Sequence, residues 1–271
     1  MIIWLASYPK SGNTWVRLFL NALFYAENEL DINNIKIQQF PNKKYFKNIS
    51  ENYNNLETII NSCLDAQYAI NLDNEVKFMK THSACWKTDK SSFTNYENTL
   101  GVIHIVRDPR NVITSLKNHY GKANLETTLK FMMDEKKFIG SKNSKEEFDI
   151  PALISSWSNH YKSWSKFNKN YLLIKYEDLL KNPKIEFLKI IEYLKKITNL
   201  KFNGDLNKII NDCSFDSLKN QENQKGFKEA VKNQKFFFLG PKNNWKDILD
   251  KSICEEIEMV FNKEMKELNY L

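Results

Sequence analysis

Ser7-Tyr8-Pro9-Lys10-Ser11-Gly12-Asn13-Thr14-Trp15 is the stretch whose reading decides the fold. Ahead of it, Ile2 to Ala6 is an unbroken apolar run that reads as a buried strand. Behind it, Trp15, Leu18, Phe19, Ala22 and Leu23 keep the i, i+3, i+4, i+7, i+8 spacing of a helix with one apolar face. A strand, a short loop rich in small and hydroxyl residues, then a helix makes an anion cradle. The unpaired N–H groups of the first helical turn and the positive end of the helix dipole face whatever the loop holds. Lys10 adds a full charge, and Ser11 and Thr14 add hydroxyl donors. The nucleoside-triphosphate loop places its lysine directly after a second glycine. Here the lysine stands two residues before the loop's only glycine, so the pattern argues against that ligand.

Outward from the loop, strand and helix patterns alternate, as in an α/β fold with a largely parallel sheet. Val76–Lys80, Leu100–Val106 and Tyr171–Lys175 read as strands, and the second is interrupted only by His104. A helix is expected from Pro109, with Val112, Ile113, Leu116 and Tyr120 on one face, because proline suits a first helical turn. Trp157, Tyr161 and Trp164 mark a further helix, and 184–197 and 251–268 have amphipathic spacing. Residues 28–62 are polar and weakly periodic, and 121–150 read as a lid or an excursion. With no internal repeat and no composition break, residues 1–271 are expected to form one domain.

The hydrophobic fraction of 42% and aromatic fraction of 13% support a substantial core. No run approaches the roughly 18 apolar residues of a membrane span. The N-terminus lacks the pattern of a signal peptide, and cleavage there would destroy the loop, so a cytoplasmic protein is expected. Cys63, Cys85, Cys213 and Cys254 have neither C-x-x-C nor metal-ligand spacing and read as free thiols. The net charge of +7 comes mainly from dispersed lysine. It suits a polyanionic ligand and does not point to nucleic acid.

A second anion pocket is suggested by Arg107-Asp108-Pro109-Arg110-Asn111-Val112-Ile113-Thr114-Ser115. Arg107 ends a buried strand, where open α/β sheets place ligands, and Ser115 follows two helical turns later. Of four histidines, His104 reads as a core residue and His119 as exposed, while His82 ends a strand in Lys80-Thr81-His82. A histidine there suits a general base for a hydroxyl nucleophile.

These motifs together resemble the sulfotransferase family, in order from residue 2 to about 250. The loop resembles that family's T-Y-P-K-S-G-T-x-W, with Ser7 and Asn13 as mild departures. The resemblance implies 3′-phosphoadenosine 5′-phosphosulfate (PAPS) as sulfuryl donor, adenosine 3′,5′-bisphosphate (PAP) as product and no metal. It implies a P-loop-like α/β core around a central, largely parallel sheet flanked by helices. Lys10, Ser11, Gly12, Asn13 and Thr14 would hold the 5′-phosphosulfate. Arg107 and Ser115 match the 3′-phosphate motif, and Trp15 and Tyr176 match aromatic positions at the nucleotide. Cys213-Ser214-Phe215 stands where Thr-Ser-Phe is usual near the purine. His82 would be the catalytic base, with Lys10 on the leaving oxygen and Lys80 on the sulfuryl oxygens. Trp157-Ser158-Asn159-His160 resembles a structural W-x-x-H element.

Two departures stand near the end. Phe236 to Lys246 resembles F-x-R-K-G-x-x-G-D-W-K and keeps Gly240, Trp245 and Lys246. Phe238 and Leu239, however, replace the Arg-Lys pair, for which Lys235 or Lys242 are candidate substitutes. The family's dimerisation motif survives only at Lys246 and Glu255, so the oligomeric state stays open. A P-loop-type small-molecule kinase and a nucleotide-binding protein with a decayed site are the alternatives. The partner implied is a small-molecule acceptor bearing a hydroxyl or amine. Its pocket is expected from 31–74, 121–150 and 221–239, where Phe40, Tyr45, Phe46, Phe131, Phe138, Phe227 and Phe236 suit an apolar substrate or a plain core.

Overall fold

The computed structural model describes residues 1–26, 29–49, 55–121, 124–140, 150–202, 204–230, 235–237 and 240–271. They cluster into two compact units. The first comprises Met1–Tyr8, Ile37–Ile105 and Met133–Leu173; the second comprises Pro9–Lys36, Val106–Met132 and Ile174–Leu271.

The sheet is built on the first unit. Its strands are β1 (Ile2–Ser7), β2 (Gln38–Gln39), β3 (Lys77–Thr81), β4 (Thr99–Val106) and β7 (Tyr171–Lys175), in the order β2-β3-β1-β4-β7. β1 runs parallel to both β3 and β4, and β2 runs parallel to β3. The four strands expected from sequence lie within one residue of their predicted limits. The two-residue β2 and the short antiparallel pair β5 (Phe138–Ile139) and β6 (Ala152–Leu153) carry too little periodicity to be foreseen. Alternation along the strands sends Ile2, Trp4, Ala6, Met79 and Val102 to one face. There they pack with helices α2 (Leu56–Asn61), α3 (Cys63–Asn71) and α6 (Trp157–Ser165). Trp4 sits among Phe40, Phe93 and Trp164, and its Nε1 donates to Thr99 Oγ1 at 3.0 Å. Phe40 and Phe46 are wholly buried in this cluster. They are core residues, so the apolar-pocket reading does not hold for them.

His104 and His160 are buried in this unit, with ring centroids 5.8 Å apart. Tyr171 Oη lies 2.7 Å from His104 Nδ1, and the His160 ring hydrogen-bonds the backbone of His82. Burial pushes His160 down to about 3, against the upward pull of that hydrogen bond. Burial and neighbouring His160 hold His104 well below the usual histidine range. Both are therefore depressed in the folded state, and the unfolded chain takes up protons first as pH falls. Stability is expected to be full above about pH 6.5 and to fall below it by up to about 1.4 kcal/mol per pH unit for each histidine. Urea unfolding between pH 7.5 and 5 measures this. His160→Gln should remove about half the slope, and an unchanged slope would rule His160 out as its source.

The second unit is largely helical, with α1 (Asn13–Phe24), α4 (Pro109–Tyr120), α5 (Leu125–Met133) and α7 to α13 (Tyr176–Lys181, Pro183–Ile197, Leu206–Asp212, Phe215–Lys225, Trp245–Ile248, Lys251–Val260, Asn262–Glu267). α5 ends at the boundary between the two units. α1 is buried on more sides than its one-faced pattern suggests, since Val16 and Leu20 are also inside. Arg17, only 2% exposed, is ion-paired with Glu229, and Phe19 stacks on Phe187 with centroids 3.8 Å apart. The helix expected over 251–268 is divided at Phe261. α4 begins as predicted: Asp108 caps it, accepting from Arg110 N–H at 2.9 Å, with Pro109 in the first turn.

Candidate active site

In the second unit, the loop from Pro9 to Gly12 leads into α1. Lys10 adopts φ 67° and Gly12 φ 101°. The left-handed region costs a residue with a Cβ on the order of 1 kcal/mol, and such strain gathers at functional turns. Gly12 has a second constraint, because an added Cβ would stand inside the Tyr176 ring. Ser11 is buried, and its hydroxyl has no hydrogen-bond partner among the described residues. The half-buried Trp15 is likewise unpartnered at Nε1 and meets Tyr176 and Phe187 edge-on. Asn13 is buried in the first helical turn beside the half-buried Thr14. The Lys10 ammonium lies 4.5 Å over the centroid of Phe236.

Arg107, nine-tenths buried, spans the loop and α4. Its Nη1 donates to the Lys10 carbonyl at 3.1 Å and to Ser115 Oγ at 3.2 Å. Its guanidinium stacks 4.2 Å from the Tyr176 centroid, and its Nε has no partner among the described residues. The adjoining backbone is anchored twice over. Glu177 Oε1 accepts from Asp108 N–H at 3.0 Å, and Tyr270 donates to Glu177 Oε2 at 3.0 Å. Burial raises Glu177 above the usual carboxylate range, opposed by the Asp108 N–H and the charge of Arg107. Arg110 is bound to Asp108 and Glu258 and stacks 4.0 Å over Trp245.

Asn243, which the motif reading passed over, belongs to this arrangement. Its Nδ2 donates to the Asn111 carbonyl at 3.0 Å and to Ser115 Oγ at 3.1 Å. A carbonyl only accepts, so the amide orientation is fixed by chemistry. Ser115 Oγ thus receives two donors, from Arg107 and Asn243, and no acceptor takes its own hydrogen among the described residues. The signal in the sequence was the replacement of a family glycine by a side chain with two donors. Gly240 is held at φ 49°, where a Cβ would strike the Phe215 ring. Cys213 closes α9 wholly buried, and burial raises its thiol, which stays protonated. Lys235 and Lys242 are exposed, and Phe238 and Leu239 lie outside the described residues.

The first unit holds His82 and Lys80, both buried. His82 Nδ1 lies 2.8 Å from the Ser7 carbonyl and 3.2 Å from Ser7 Oγ. The carbonyl requires a proton on Nδ1, so the neutral ring carries its lone pair on Nε2. Ser7 thereby sets the tautomer of the His82 ring, and the same residue begins the loop sequence. No group of three or more potential metal ligands occurs among the described residues.

The sequence matches the family profile described as "Sulfotransferase domain" over residues 2–269. The chain belongs to the sulfotransferase family. Among curated proteins it is similar to mouse sulfotransferase 1 family member D1, with 26% identity over 98% of this chain and 83% of that one. It is also similar to Arabidopsis thaliana cytosolic sulfotransferase 12, with 25% identity over 97% of this chain and 76% of that one. Among solved structures, mouse sulfotransferase SULT7A1 complexed with PAP gives a TM-score of 0.60 at 17% identity, covering 98% of this chain and 84% of that one. Retinol dehydratase in complex with retinol and PAP gives 0.60 at 18%, covering 98% and 81%. These likenesses bear out the α/β sulfotransferase fold. Among the described residues, no helix is long and apolar enough to cross a membrane.

Proposed function

We propose that this sulfotransferase moves a sulfuryl group from PAPS to a hydroxyl or amine of a small-molecule acceptor, with His82 as base. The observation that carries the donor assignment is Ser115. Its oxygen is filled by two donors, so its hydrogen and the unpartnered Arg107 Nε both call for an acceptor such as a phosphate oxygen. The unpartnered Ser11 hydroxyl and the head of α1 offer the same to a second phosphate. Two anion sites on one chain suit a nucleotide phosphorylated at both ends. PAP bound in the solved relatives supports the same ligand.

In this reading His82 Nε2 takes the acceptor's proton as the acceptor oxygen bonds to sulfur. Lys10 neutralises the charge left on the oxygen that had bridged phosphate and sulfur, and Lys80 faces the sulfuryl oxygens. Positioning and charge stabilisation carry such a transfer, by analogy with phosphoryl transfer. No residue role in it calls for a metal. Residues 1–271 act as one sulfotransferase domain, and four unbridged cysteines support a cytoplasmic setting.

Calorimetry tests the donor assignment. PAP is expected to bind with micromolar Kd, about −8 kcal/mol, and more tightly than ATP with Mg²⁺. No binding at millimolar PAP would overturn the reading, and preferential ATP binding would favour a kinase.

A further inference from the structure

One polar side chain on the catalytic face of the sheet has no role in the scheme above. Gln39 stands on the edge strand β2, in register with Lys80 of β3, and Phe40 N–H donates to the Lys80 carbonyl at 2.9 Å. Phe40 turns into the Trp4 core, so alternation turns Gln39 to the opposite face. Lys80 lies on that face, and His82 follows two residues later beside Ser7. Gln39 is only 6% exposed, yet neither Oε1 nor Nε2 has a hydrogen-bond partner among the described residues.

Leaving a buried donor and acceptor unmatched costs about 1–3 kcal/mol each, which makes such a pair rare in a native interior. Its neighbour Gln38 is already engaged by Lys44 Nζ, at 3.0 Å. The unmatched pair on Gln39 has a defined complement, a group that accepts from Nε2 and donates to Oε1. A hydroxyl does both.

Resting on the sulfuryl-transfer reading, we propose that Gln39 binds a second hydroxyl of the acceptor, next to the one that His82 deprotonates, and so selects vicinal diols and sugar-like polyols. One strand spacing and two residues along the strand separate Gln39 from His82, roughly 8 Å between Cα atoms. A separation of that size is what two side chains and two neighbouring hydroxyls between them would span. An isolated phenol or a sterol alcohol would leave the amide unmatched, which is how a polar site rejects a ligand lacking the group.

The test compares catechol with phenol, and 1,2-octanediol with 1-octanol. Binding to the PAP complex is measured by calorimetry, and kcat/KM with labelled PAPS. Each diol is expected to be favoured about tenfold, and Gln39→Met should bring each pair within about twofold. PAP affinity should be the same in both proteins, which also reports that the variant is folded. Equal handling of each pair by the natural protein, a preference that survives Gln39→Met, or no diol binding at all would each overturn the assignment. Loss of PAP binding by the natural protein would instead overturn the sulfuryl-transfer reading, so the two failures are distinguishable.

Discussion

Replacing His82 with alanine is expected to lower kcat by about 10³-fold while PAP affinity stays within twofold, since general-base catalysis is worth roughly 10²–10⁴. The basis is the bond from Nδ1 to the Ser7 carbonyl, which commits the ring to one tautomer and leaves Nε2 as the acceptor. His82→Asn separates chemistry from architecture. Its amide can still donate to Ser7, so the local fold is kept, but nothing remains to take a proton. It should be as inactive as the alanine variant. Added imidazole should restore part of the turnover of His82→Ala and none of that of a variant impaired in donor binding. Turnover within threefold of the natural protein in both variants would remove His82 from the chemistry.

The loop and the strands were legible because each rests on short-range pattern. Ile2–Ala6 is apolar without interruption, Gly12 stands directly ahead of α1 in a run of small and hydroxyl residues, and Pro109 follows its cap at Asp108. His104 was legible as a core residue for the same reason, its place inside an apolar run. What escaped depends on contacts between distant segments. Asn243 reaches Ser115 across 128 positions of sequence, and no local periodicity marks it. Gln39 sits in a two-residue strand, too short to show alternation, within a segment that composition alone presents as a polar loop. The aromatics of 31–74 illustrate the converse. Phe40 and Phe46 had two readings that composition could not separate, and packing around Trp4 decided for the core.

The Ser115 arrangement leads to the other large effect, at Arg107. Its guanidinium stacks on Tyr176, holds the Lys10 carbonyl and donates to Ser115, so it serves loop and helix together. Arg107→Ala should weaken PAP binding by 10²–10³-fold, about 2.7–4 kcal/mol, because a buried phosphate would lose a charged partner and the loop its brace. Arg107→Lys should recover little, since an ammonium neither stacks flat on Tyr176 nor forks between two acceptors. Asn243→Ala removes one donor from Ser115 and leaves the charge in place. It should cost about tenfold, the worth of one hydrogen bond. Calorimetric Kd values for the three variants, with far-ultraviolet circular dichroism to verify folding, give the ranking. Were Asn243→Ala to cost as much as Arg107→Ala, Ser115 orientation would be the dominant effect and the arginine's charge secondary. Were Arg107→Ala to bind PAP within threefold of the natural protein, the 3′-phosphate would have to be held elsewhere.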